Sequence, residues 1–163
     1  MVSRIHFSSG KDNWGTPPWL FSRCRKLWDF KLDACAEEWS AKCKRWYGAK
    51  DNGLEKPWIN WTWCNPPYSQ IELWLEKAAA ECMRGASSVV LMPSRTDTRA
   101  FHRYAPLASK IILIKGRLKF IDPNGLVERT SAPFPSLLLE FKSRPRADIK
   151  NVLPTVEFLR WQE

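Results

Sequence analysis

Apolar positions along the chain fall into short dense runs separated by stretches with helical spacing. Thr16-Pro17-Pro18 followed by Leu20, Cys24, Leu27 and Trp28 predicts a helix over 16–27, with Thr16 as N-cap and Pro17 in the first helical position. Phe30 to Ala36 is a short apolar run closing on an acid and small residues, which reads as a buried strand entering a loop. Residues 37–57 are mixed and carry no clear pattern. Trp58 to Cys64, rich in Trp, Ile and Thr, predicts a strand. It stops at Asn65-Pro66-Pro67, because proline cannot continue a sheet ladder. Ile71, Trp74, Leu75, Ala78 and Cys82 share one helix face, and Gly85 is the expected stop. Strands follow at 88–92, 110–115, 118–121 and 136–141, the last clear one, with a short helix over 97–105. Asp122-Pro123-Asn124-Gly125 reads as a turn.

Helix and strand alternate in the front half, which implies parallel crossover units. Strands crowd together in the back half, which implies an antiparallel hairpin at one edge. The expected fold is α/β, a three-layer Rossmann-like sandwich on a mixed sheet. The chain has 163 residues, enough for one compact domain over 14–145. Residues 1–13 are expected to be a flexible arm and 146–163 a tail. So short a chain leaves little room for a separate recognition domain.

Charge changes the picture. The 26 Lys and Arg outnumber 17 Asp and Glu, giving a net charge of +9. Such an excess suits a polyanionic partner, since basic groups near phosphates release condensed counterions. No basic amphipathic helix points to a membrane surface. No run approaches about 20 apolar residues, and the N-terminus carries no apolar signal core, so a cytoplasmic protein is expected. Five Cys without CxxC spacing and two lone His argue against a zinc site or a disulfide framework, and no metal is expected.

The chemistry centres on Asn65-Pro66-Pro67-Tyr68-Ser69. Ligands of open α/β sheets bind outside the carboxyl ends of strands, where this loop is placed. The Asn65 oxygen and the Pro66 carbonyl can each accept one hydrogen of an exocyclic –NH₂, with Pro67 stiffening the loop. That orients the nitrogen and stabilises the positive charge it develops on attacking an electrophilic methyl. Tyr68 can stack on a flat ring, a contact worth about 1–3 kcal/mol per base. A base inside a duplex must be flipped to reach such a pocket. A Pro-Pro turn with Asn65 capping the next helix and Tyr68 in the core is the structural alternative.

The order Thr16-Pro17-Pro18, Leu32-Asp33-Ala34-Cys35-Ala36, Asp51-Asn52-Gly53-Leu54 and Asn65-Pro66-Pro67-Tyr68 resembles the amino-methyltransferases of DNA. Trp14-Gly15-Thr16-Pro17, Ala41-Lys42-Cys43 and Lys115-Gly116-Arg117-Leu118-Lys119-Phe120 narrow the resemblance to phage-type DNA N6-adenine methyltransferases, over about residues 12–141. The resemblance implies S-adenosylmethionine as methyl donor and double-stranded DNA as substrate. It implies that Thr16 and Pro17 contact the cofactor's methionine part. It also implies that Asp33 meets the cofactor's ammonium, that Ala34 and Cys35 allow close backbone approach, and that Asp51 accepts from the cofactor's adenine amine. A helix N-cap is the structural alternative for Asp33, and an ordinary Asp-Asn-Gly turn is an equal alternative for Asp51. The Gly-rich loop common in larger methyltransferases is replaced by Ala-Cys-Ala-Glu-Glu. The ribose acid is not obvious, Glu37 or Glu38 being the candidates.

Arg117 and Phe120 are candidates for a second wall of the base pocket. Arg95 and Arg99, with Arg103 one turn further, are candidates for phosphate contact alongside Ser69. The alternatives are an N4-cytosine enzyme, a protein glutamine-amide methyltransferase, and a catalytically silent nucleic-acid-binding module.

Overall fold

Seven strands among the described residues form one sheet: β1 (Leu32–Asp33), β2 (Arg45–Trp46), β3 (Thr62–Cys64), β4 (Ser88–Pro93), β5 (Lys110–Ile114), β6 (Ser136–Phe141) and β7 (Thr155–Leu159). The computed structural model describes residues 14–123, 131–143 and 153–159. The strand order is β2-β1-β3-β4-β6-β5-β7. Neighbours are parallel from β2 through β4, β6 runs antiparallel to both β4 and β5, and β7 is parallel to β5. The expected α/β mixed sheet is present.

Alternation along the central strands sends side chains to two faces. Val89, Leu91 and Leu138 meet Leu20, Phe21 and Cys24 of helix α1 (Pro18–Arg25). Val90, Met92, Leu137 and Leu139 join Trp74, Leu75 and Ala78 of helix α2 (Ile71–Met83) and Ala100 and Tyr104 of helix α3 (Arg99–Tyr104). The result is three layers with a core on each side of the sheet.

Four expectations need correction. Helix α1 starts at Pro18, Pro17 takes the cap position, and no side chain caps it. Proline in the first turn lacks the N–H that a Thr16 cap would satisfy, and Thr16 turns elsewhere. The strand expected over 58–64 shrinks to β3, because Trp61 adopts a positive φ of 45° that breaks the extended run. Residues 118–121 form no strand. Leu118 and Phe120 point into the core as alternation predicts, but only Gly15–Ile121 pairs, as an isolated bridge. Residues 136–141 are not the last strand, since β7 lies beyond β5. Val156 and Phe158 of that strand are exposed.

The other elements follow the sequence closely. Gly85, at φ 103°, ends α2. Thr98 caps α3 by accepting from the Phe101 amide at 3.3 Å. Glu81, buried in α2, is neutralised by Lys77 and Arg84.

Candidate active site

The carboxyl ends of β1 and β3 are adjacent and face the same edge of the sheet. Asp33 closes β1 and is only 2% exposed. Its Oδ1 accepts from the Cys35 amide at 3.3 Å and its Oδ2 from the Lys42 amide at 3.0 Å. Asp33 therefore folds the following loop back on itself and caps no helix. Among the described residues no basic side chain lies within ion-pair distance of it. Burial pushes its carboxyl up to about 7, against the opposing pull of the Lys42 and Cys35 amides and the Lys42 charge. Burial in turn lowers the Lys42 amine.

The small residues after Asp33 are covered by neighbouring loops. Ala34 donates its amide to the Trp63 carbonyl at 2.9 Å, and Ala36 donates to Tyr47 at 3.0 Å. Gly53 presses on the same turn, where an added Cβ would stand 2.0 Å from the Ala34 carbonyl oxygen. No side chain fits there. Asp51, two residues before, is exposed and accepts from the Gly48 amide at 2.9 Å. It holds the turn that delivers Gly53 to β1. Glu37 is half-buried in the turn after Ala36, and Glu38 is exposed.

Asn65 follows β3 directly, and its carboxamide is tied on three sides. Nδ2 donates to the Trp14 carbonyl at 2.6 Å and to Thr16 Oγ1 at 3.2 Å. The Tyr68 hydroxyl donates to Oδ1 at 3.3 Å. Pro66 and Pro67 are buried, and Pro67 accepts from the Gln70 amide at 3.1 Å, closing a single 3₁₀ turn over Tyr68–Gln70 before α2 begins. Asn65 is therefore not the cap of α2. Burial and the neighbouring Cys64 raise the Tyr68 phenol above its usual range, so it remains a neutral donor. Burial likewise pushes the Cys35 and Cys64 thiols up, which leaves no thiolate nucleophile between them.

Tyr68, Ser69, Arg95 and Arg99 converge on one cleft of about 640 Å³, between the start of α2 and the loop after β4. Gln70 lines the same cleft, and its Oε1 is buried with no hydrogen-bond partner. Arg103 does not join the cleft; it lies 3.8 Å from Glu72 and over the Tyr104 ring. Arg117 also stands apart, exposed and donating to the Ala132 carbonyl at 3.3 Å. Phe120 is 1% exposed. It packs edge-on against Tyr68 at 6.2 Å, and Phe134 does the same at 5.4 Å. Phe120 thus supports the Tyr68 ring and presents no open face of its own. Sequence reasoning overlooked Trp14 as a partner of Asn65, because a backbone carbonyl leaves no residue-type signal. It also overlooked Lys42, which acts through its amide.

Among the described residues no cluster of His, Cys, Asp or Glu could hold a metal ion, and no helix is long and apolar enough to cross a membrane. The chain is 28% identical over 149 residues to a DNA N-6-adenine-methyltransferase of Haemophilus phage HP1, covering 88% of this chain and 86% of that one. It is 29% identical over 118 residues to a DNA N-6-adenine-methyltransferase of Escherichia phage T1, covering 70% of this chain and 50% of the relative. The family model for DNA N-6-adenine-methyltransferase (Dam) matches residues 5–157, beyond the segment that the resemblance of motifs covered. The chain with this loop after β3 therefore belongs to the DNA N-6-adenine-methyltransferase (Dam) family.

Proposed function

We propose that the chain transfers a methyl group from S-adenosylmethionine to the N6 amine of an adenine flipped out of duplex DNA, with Asn65 and the Pro66 carbonyl as the two acceptors. The single observation that carries this reading is the fixed Asn65 carboxamide. Both its amide hydrogens are used by Trp14 and Thr16. Its oxygen, which has two lone pairs, gives one to Tyr68. The remaining lone pair suits one N–H of an incoming amine.

The donor set around β1 fits the cofactor. Asp33 is a buried carboxyl with no ion pair among the described residues and only the Lys42 charge acting on it from further off, and it suits the ammonium of a methionyl group. Thr16, which bonds Asn65, and the adjoining Pro17 would hold the methionine part, with Ala34 and Cys35 lining the floor. Asp51 would take the adenine amine of the cofactor from its turn. When bound, S-adenosylmethionine supplies an electrophilic methyl on a sulfonium. The chain's own residues orient the nucleophile. Asn65 and Pro66 accept from N6, and their oxygens stabilise the charge that grows on nitrogen until its surplus proton passes to solvent. Tyr68, braced by Phe120 and Phe134, stacks on the extruded base. Ser69, Arg95 and Arg99 meet the DNA backbone along the cleft, and Arg117 reaches it from the opposite segment.

The test is incorporation of labelled methyl from S-adenosylmethionine into unmethylated duplex DNA, followed by nucleoside analysis. The expected product is N6-methyladenine. N4-methylcytosine, label in protein, or DNA binding without any transfer would each overturn the reading.

A further inference from the structure

A carboxamide has nearly the same shape at its two ends and opposite hydrogen bonding. With its oxygen toward the base, Asn65 receives an amine; turned over, it meets that amine with an –NH₂ of its own. Nothing within Asn65 chooses between the two. The choice comes from a segment 49 to 51 residues earlier in the chain.

We infer that Trp14-Gly15-Thr16 is an orienting clip for Asn65, and that methyl transfer depends on it. The inference rests on the reading of Asn65 as the amine acceptor. The Trp14 carbonyl can only accept, and it lies 2.6 Å from Nδ2. A carboxamide turned over would set two oxygens against each other at that distance with no hydrogen between them. Thr16 Oγ1 takes the second amide hydrogen at 3.2 Å, and Thr16 is 2% exposed. The clip is itself fixed. Gly15 pairs both ways with Ile121, at 2.8 and 2.9 Å. The Trp14 ring lies 5.8 Å from Phe120, which in turn touches Tyr68. Trp14 and Thr16 are positioning residues: they act on the substrate amine only through Asn65.

One consequence separates orientation from mere packing. An ionised Asp at position 65 would face the Trp14 carbonyl without a proton to share. A protonated Asp would donate to Trp14 and still offer an acceptor to the amine. The titratable groups near this position are Tyr68 on the loop, Cys64 on β3, Asp33 at the end of β1 and Cys35 after it. Tyr68 and the two thiols are held neutral by burial. Asp33 titrates in the wild type as well, so the ratio of variant to wild type isolates position 65.

The experiment measures single-turnover methylation of duplex DNA by the full chain at saturating S-adenosylmethionine, from acid to mildly alkaline pH, with melting temperatures as a folding control. The Asn65→Asp rate divided by the wild-type rate is expected to rise about tenfold for each pH unit lowered, as the protonated fraction does above the pKa. Thr16→Val is expected to lower the single-turnover rate about tenfold, and Thr16→Ser to restore it to within about twofold, the scale of one hydrogen bond. A flat ratio for Asn65→Asp, whether near one or near zero, overturns the clip. So does a wild-type rate for Thr16→Val. If Thr16→Val fails to fold, the pH dependence of Asn65→Asp decides alone. A wild-type chain that leaves adenine unmodified would sink the acceptor reading itself. A wild type that methylates adenine, with these variants unresponsive, would sink the clip only.

Discussion

The two halves of the sheet hold together by different means. On the side of the candidate site, β1 and β2 have two residues each and β3 has three. On the other side, β4, β5 and β6 have five or six. Long strands carry a regular ladder, and β4 and β6 fill both faces with buried residues. Strands of two residues cannot rely on a ladder, so side chains hold the backbone instead. Asp33 binds the Lys42 amide, Asp51 the Gly48 amide, and Asn60 the Ser87 amide at 3.2 Å. The Tyr47 hydroxyl donates to the Pro57 carbonyl at 2.9 Å. The lesson is a division of labour. The back half supplies apolar stability, and the front half spends polar groups on loop shape, where the site is.

That division can be broken from either side. The largest effect is expected at the loop: Asn65→Ala should reduce kcat by about 10²–10³-fold, the scale of losing one preorganised acceptor. Its melting temperature should stay near the wild type, and a parallel collapse of both would erase the distinction. Next comes Leu138→Ala in β6, a side chain 1% exposed. It should cost about 3 kcal/mol in a urea titration, with an unchanged rate per folded molecule.

The third effect is a pH dependence of about tenfold. The Asp33 carboxyl is raised from 3.8 to about 7 by burial. An unfolded chain loses this proton near 3.8 while the folded chain keeps it to about 7. Native stability without cofactor should therefore fall as pH rises between those values. A cationic cofactor favours the ionised form, so its affinity should rise by about tenfold from pH 6 to 8. Calorimetry in buffers of different ionisation enthalpy should record proton release, and Asp33→Asn should flatten the profile. The smallest effect is Tyr68→Phe, which keeps the ring and removes the hydroxyl bond to Asn65. It should lower the rate only about two- to fivefold, since one neutral hydrogen bond is at stake.

Much of the back half was legible in the sequence. Runs such as Ser88–Met92 and Ser136–Phe141 are apolar without interruption, and both form strands within a residue of the expected limits. β7 was missed although Val156 and Phe158 alternate with Thr155 and Glu157, because the run is short and half polar. Leu118 and Phe120 carried a strand's alternation without a strand's partner. The front half was legible as motifs and not as elements. Asn65-Pro66-Pro67-Tyr68 announced a loop after a strand, and the loop is there. The partners of the Asn65 carboxamide carry no sequence signal, because Trp14 contributes a carbonyl and Thr16 beside Pro17 reads as a helix cap. Hydrogen bonds across 49 to 51 residues leave no local pattern.

The place of β6 has a consequence for synthesis. It lies between β4 and β5, yet it comes after both in the chain. On a ribosome, a nascent chain that has not yet released residues 136–141 has a front sheet ending in a bare β4 edge. Its β5 has neither of the neighbours it pairs with in the finished fold. An uncovered apolar edge is a template for association with other chains. Joining of the two parts of the sheet by β6 is thus a late event, and the far edge of β5 stays open until β7, which follows β6 in the chain, pairs with it.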